Sequence, residues 1–215
     1  MSDLILRLKR HYLPCSALIL TALIVLSFVF TKRDAITFTA QSTGYISIVI
    51  LTFSLIIGTI NLIRQNRNPV STYFRRDVAI IGGILAVIHS VTGLFMHLRG
   101  RSWMYFLNKT DTGYSIRLDN FGLANYTGLI SSLLIVFLLI TSNDLLLRKL
   151  NSGTWKNIQR SAYFMFILAI VHCLLYRGVK EHFHLVYTFY VPLVSLVLVF
   201  QMIGIWLTVR QHKNF

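Results

Sequence analysis

Charge is what this chain has least of. Only 13% of its 215 residues are Asp, Glu, Lys or Arg, and just seven are acidic. Set beside 55% hydrophobic residues, that balance excludes an ordinary soluble domain and is the composition of a membrane protein. Cysteine is nearly missing as well. Cys15 and Cys173 both fall inside apolar blocks, so neither a disulfide framework nor a cysteine-based metal site follows from them. Only three prolines occur, and no Pro-broken pair of hydrophobic segments stands in corresponding halves, which argues against a transporter built from interrupted helices. No low-complexity tract, linker or second domain breaks the pattern.

What the chain does have is six apolar segments, at about 13–31, 43–63, 78–98, 127–147, 161–177 and 186–208. Each is long enough for a helix rising 1.5 Å per residue to cross a hydrocarbon core of ~30 Å. The first follows the basic run RLKRHY but has no clear small-residue cleavage pattern, so it is read as a retained span rather than a secretory signal. The expected architecture is all-α: one domain over residues 1–215, an integral membrane bundle of six transmembrane helices.

The net charge of +14 does not point to nucleic acid, because the 21 Lys and Arg residues lie in short segments between the apolar blocks. They report topology instead. Thirteen of the 21 fall in the N-terminus, the second and fourth loops and the C-terminus, which assigns both termini to the cytoplasm on the positive-inside rule. The loop 99–126 is the one sizeable polar segment on the outside and the natural docking surface there. The stretches STGYISIVILTFSLIIGT and NYTGLISSLLIVFLLITS echo each other, each opening a helix from the outside with Thr-Gly.

Of seven histidines, His11 and His212 lie in basic tails, where solvation is the default, as it is for His182 and His184 in an outer loop. The alternating HFH of that loop is a weak metal-binding pattern. His89 and His172 differ, each being embedded in apolar sequence: GGILAVIHSVTGLF and YFMFILAIVHCLLY. An ionisable residue at membrane depth needs a partner. The two rings stand ~20 Å and ~18 Å beyond the inner Arg76 and Arg160, on helices running in the same direction. Rings at matching depth can sandwich a haem iron, with Ser90 or Thr92 as hydroxyl partners and Gly82, Gly83 and Gly93 giving close approach. The plain alternative is an interhelical hydrogen bond at each. His97, two turns beyond His89, would lie on roughly the same face near the outer surface, to meet a haem edge or propionate, serve as an alternative ligand, or merely sit in the interface.

At this point the residues FRRDVAIIGGILAVIH and TSNDLLLRKLNSGTWKNIQRSAYFMFILAIVH are similar to the ferric reductase-like transmembrane domain family, over about Thr43 to Val209. The resemblance is closest to the small bacterial form that serves as haem-binding membrane subunit of a methionine-sulfoxide reductase system. It implies that the third and fifth helices supply haem ligands, with His89 and His172 at the outer ligand positions. Two-haem relatives carry histidine at two further inner positions, where this chain has Arg75 and Gln159. Arginine keeps its proton and glutamine offers only a weak amide oxygen, so one b-type haem per chain is expected. Single-haem relatives hold a flavin near the inner side. Arg75, Arg76, Lys156, Gln159 and Arg160 would suit the phosphate of FMN or FAD, or would simply anchor the inner helix ends, since no glycine loop accompanies them.

The function implied is an electron-transfer subunit of a bacterial inner membrane, passing electrons from a separate cytoplasmic flavin reductase or a membrane quinol through one haem to an outer acceptor. No nucleotide-binding domain is expected beyond the sixth helix. The acceptor would be a periplasmic reductase or a ferric chelate, attracted by Arg99, Arg101, Lys109 and Arg117 of the outer loop. A proton or solute transporter using the two histidines is the alternative of another class, with Asp144 as the plausible intramembrane acid. A non-catalytic assembly subunit is the third.

Overall fold

A computed structural model of the chain describes residues 2–64, 69–98, 101–180, 184 and 186–213. Arg67, Arg99 and His182 lie outside them. Among the described residues six helices are long and apolar enough to cross a membrane, which makes the protein a multi-pass membrane bundle of the all-α class.

The first crossing joins α1 (Ser2–Arg7) and α2 (Leu13–Val29) through a π turn, Leu8–Tyr12. Then come α3 (Ala35–Ile63) and α4 (Pro69–Gly93), a hairpin of β1 (Leu107–Thr110) and β2 (Gly113–Ile116), and α5 (Asn120–Thr141). The short α6 (Asp144–Lys149) leads to α7 (Ser152–Lys180), and α8 (Val191–Lys213) follows a second π turn, Val186–Tyr190. The antiparallel pairs α3–α4 and α5–α7 are the most closely packed, and α4 also lies on α5. α3 is the central staff: more than half of its most apolar stretch is buried inside the protein, whereas none of the first helix's is.

Helix ends differ from the apolar blocks because polar groups, not hydropathy, set them. α5 begins at Asn120 rather than near 127, since Asp119 accepts a hydrogen bond from the Gly122 amide at 2.8 Å and so caps the first turn. It stops at Thr141 rather than 147, where Asn143 adopts extended backbone and caps α6 by accepting from the Leu146 amide. α4 stops at Gly93, five residues short of the block's end at 98, because the Tyr105 hydroxyl donates to the Gly93 carbonyl and accepts from the amides of His97 and Leu98. The Arg117 guanidinium, hydrogen-bonded to Asp119, holds that carboxyl below the usual carboxylate range. Asp119→Ala is therefore expected to lower stability by about 1 kcal/mol at neutral pH. The folded-state pKa is depressed, so this contribution is present above the ordinary carboxylate range and is lost as pH falls through the lowered value; thermal unfolding in detergent at neutral and acidic pH reads the difference.

Asp77, with no exposed surface, is a buried acid of the bundle that the sequence reading passed over; Asp144, the acid it placed in a span, is the first residue of α6. Arg7 pairs with it, His11 Nδ1 lies 2.6 Å from Oδ2, and the Tyr12 hydroxyl donates to Oδ1 at 3.2 Å. His11 is thus buried at 8% exposure, not solvated in a tail. Consecutive residues His11 and Tyr12 both reach one carboxylate from within the π turn. Removing one member of a buried ion pair is costlier than never having built it. Asp77→Asn is expected to destabilise the docked N-terminal segment by about 3 kcal/mol, read as faster tryptic cleavage after Arg7, Lys9 and Arg10 in detergent.

Two apolar clusters position the site. Ile48, Leu55, Phe166 and Val197 join α3, α7 and α8, while Leu51, Ile135, Leu138 and Met165 join α3, α5 and α7. In lipid such contacts stabilise through packing rather than water exclusion.

Candidate metal centre

Leu51, Ile135 and Met165 form a floor with a cavity on each side of it. The outer cavity is about 320 Å³ and is lined by α3, α4, α5 and α7, with Tyr105 and Phe106 from the outer loop above it. Its walls are chiefly apolar, as for a cofactor pocket that excludes water. His89 and His172 face each other across it, with ring centroids 6.1 Å apart and ring planes at 77°.

Both rings are held in the same way. His89 Nδ1 lies 2.7 Å from the Ala40 carbonyl oxygen of α3, and His172 Nδ1 lies 2.7 Å from the Ala124 carbonyl oxygen of α5. A carbonyl only accepts, so each Nδ1 carries the proton and donates, and in the neutral ring the lone pair is left on Nε2. This second interaction fixes the tautomer a metal ligand needs. Two imidazoles bound to opposite sides of one metal ion by bonds of about 2.0 Å, each centroid about 1 Å further on, stand about 6 Å apart. The observed separation fits that demand. Among the described residues no group of three or more His, Cys, Asp or Glu is gathered for a metal. The residues present fit a haem: His89 and His172 would hold it through their Nε2 atoms, and it would supply a one-electron iron couple.

Room for the rings comes from glycines that the sequence reading did not single out. A Cβ on Gly44 would lie 2.7 Å from His89 Nδ1, and one on Gly128 would lie 2.6 Å from His172 Nδ1. No Cβ is tolerated at such a distance from a ring already pinned to a carbonyl. Of the expected glycines, Gly82 meets Leu51 and Gly83 meets Leu139, so both serve helix packing, whereas Gly93 lines the cavity. Nor do the expected hydroxyls bind the His89 ring. Ser90 bonds Ala86 O and Ser132 Oγ, tying α4 to α5, and Thr92 bonds backbone carbonyls of its own helix.

The helix echo thus has a chemical meaning. AQSTG (40–44) and ANYTG (124–128) each supply a carbonyl and a facing glycine, and LAVIH (85–89) and LAIVH (168–172) each supply a ring. These paired pentapeptides were the available signal for the four residues that hold the histidines.

His97 lies beyond the end of α4, exposed and not itself among the residues lining the cavity, but against two that do line it, its amide donating to the Tyr105 hydroxyl. Its ring stacks on Tyr176 at 6.2 Å. Arg75 is more revealing. Its Nε donates to Ser54 O at 3.1 Å, and a Cβ on Gly58 would lie 2.9 Å from Nη1. Ser54, Gly58 and Arg75 therefore repeat, about four turns inward on each helix, the arrangement of Ala40, Gly44 and His89. On the other side the repeat is broken. Gln159 faces Thr141 and Ser142, its Nε2 3.4 Å from each hydroxyl oxygen, where His172 faces a glycine. The inner cavity is only about 50 Å³. Here a guanidinium, Gln159 and the Ser142 hydroxyl stand beside a small void, where the outer cavity has two imidazoles and a glycine. Arg76 lies buried over the Tyr73 ring, and Arg160, exposed, bonds Asn157.

The sequence model of the family described as ferric reductase like transmembrane component matches residues 43–170, more than half of the chain. The match includes α4 with His89 and ends just short of His172. No curated protein matches the chain.

Proposed function

The chain belongs to the ferric reductase-like transmembrane component family, and from that premise we propose that it is a membrane electron-transfer subunit carrying one b-type haem, held by His89 and His172. The observation that carries this reading is the imidazole pair at 6.1 Å, both Nδ1 atoms committed to carbonyls. When bound, the haem supplies a one-electron iron couple. The protein's own residues do the rest. Ala40 and Ala124 orient the rings, Gly44 and Gly128 admit them, and the Leu51–Ile135–Met165 floor keeps the site dry from the inner side.

Electrons enter from the cytoplasmic side, from a separate flavin reductase or a membrane quinol, and leave at the outer face of a bacterial plasma membrane. A bound FMN or FAD at the inner side is the other donor compatible with the cations there, Arg75 among them. The outer acceptor is a periplasmic reductase, as in methionine-sulfoxide reductase systems, with a ferric chelate as the alternative. The cationic outer loop, with Arg101 and Lys109, supports either an acidic protein or an anionic chelate.

Sealed vesicles test the proposal. With a membrane-impermeant reductant outside and a ferric acceptor trapped inside, the protein should make the trapped acceptor reducible. Vesicles carrying His172→Ala should behave as protein-free ones do. Equal rates in all three would refute transmembrane electron transfer.

A further inference from the structure

The gap between the two histidines is not set by their own helices packing together. α4 lies chiefly on α3 and α5, and α7 on α5, with the cavity between α4 and α7. A spacing that a metal must use needs another determinant, because a metal–imidazole bond tolerates only a few tenths of an ångström.

We propose that a hydrogen-bonded strap at the outer end, Gly93–Tyr105–Asn125–Tyr176, is the positioning device that holds His89 and His172 at ligating distance; the inference rests on the haem reading above. Gly93 and Tyr176 each stand one helical turn beyond a histidine. The Tyr176 hydroxyl donates to Asn125 Oδ1 at 3.0 Å. Asn125 Nδ2 donates to the Phe121 carbonyl at 2.8 Å and reaches the Tyr105 carbonyl at 3.4 Å. The Tyr105 hydroxyl then donates to the Gly93 carbonyl at 3.1 Å.

Each link follows from what its helix can offer. α4 ends at Gly93, so its last carbonyls lack partners within the helix and one is open to a hydroxyl. α7 runs on to Lys180, so its backbone is occupied and a side chain must make the tie. Tyr105, 1% exposed and stacked on Phe121 at 5.6 Å, is rigid enough to transmit position. Tyr176 also lies against the His172 ring, with centroids 5.0 Å apart. The strap joins α4, the outer loop, α5 and α7 in one network, which is worth more than its separate bonds.

Carbon monoxide reads the ligand geometry directly, because it binds ferrous haem only where an axial position is open. Purified holoprotein carrying Tyr176→Phe, Asn125→Leu or Tyr105→Phe is reduced and titrated with the gas, with haem per chain counted in parallel. Tyr163→Phe is the control, since it breaks a comparable bond, to Gln201, away from the strap. Each strap variant should keep its haem and raise the CO-reactive fraction, Tyr176→Phe roughly fivefold, the factor one net hydrogen bond is worth, and the other two by at least as much, while the control stays at the wild-type level. Tyr176→Phe removes a single hydroxyl and keeps the ring, so it carries the test if the other variants fold poorly. Strap variants with haem and wild-type CO reactivity overturn the inference, as does an equal rise in the control. A wild-type protein without haem would instead sink the functional reading on which the strap depends.

Discussion

Gly44→Ala and Gly128→Ala should each strip the protein of most of its haem while leaving both histidines, and the fold, in place. The added methyl would sit 2.7 Å from His89 Nδ1 in one case and 2.6 Å from His172 Nδ1 in the other. The ring must move, and it cannot do so while keeping its bond to Ala40 or Ala124 and aiming Nε2 across the cavity. Overpacking of this kind costs about 1–3 kcal/mol. Falling on the ligated form, that lowers haem affinity by roughly ten- to a hundredfold. The apoprotein escapes the strain by letting the ring swing into the empty cavity, and alanine improves the helix by about 1 kcal/mol over glycine. Haem per chain should therefore fall while the apoprotein's thermal midpoint holds or rises. Haem content unchanged in both variants would show that the rings are not used as placed.

The second large effect is symmetric. His89→Ala and His172→Ala each remove one of two axial ligands and leave a hole lined by apolar side chains, so both should lose the low-spin haem spectrum. The two histidines stand in equivalent settings, each pinned by one carbonyl and faced by one glycine, so the losses should be similar in size. A purely structural pair of histidines predicts otherwise: destabilisation in both variants with no spectral consequence. Replacing Arg75 by histidine should not add a second haem, because Ser142 and Gln159 still fill the opposite wall and the inner void is small.

The six crossings were legible because their signal is gross: twenty or so apolar residues leave few alternatives to a spanning helix. The helix ends were not, because each is decided by one polar atom. The hydroxyl that ends α4 belongs to Tyr105, in a loop segment whose sequence announces nothing about Gly93. Asp77 was hard to read for the same reason, since its partners Arg7, His11 and Tyr12 come from the far end of the chain and look like ordinary topological charge. At the site, His89 and His172 stood out as ionisable groups in apolar sequence, and their equal depth was computable from helix rise. Their hydrogen-bond acceptors are backbone atoms of alanines, which carry no residue-level mark. Gly44 and Gly128 were visible only through the Thr-Gly echo, whose meaning depends on knowing which helix packs on which. Arg75 changed most. Its place in the sequence suggested a lost ligand, and in the structure it meets a carbonyl and a glycine on α3, as His89 does.

The most direct measurement is the haem count of the wild-type protein, made on purified material from haem-replete cells, together with its ferric spectrum. The account predicts one haem per chain in a six-coordinate, low-spin, bis-imidazole state. Two haems per chain would contradict the reading of Arg75 and Gln159, and no haem would contradict the pairing of His89 with His172 as ligands.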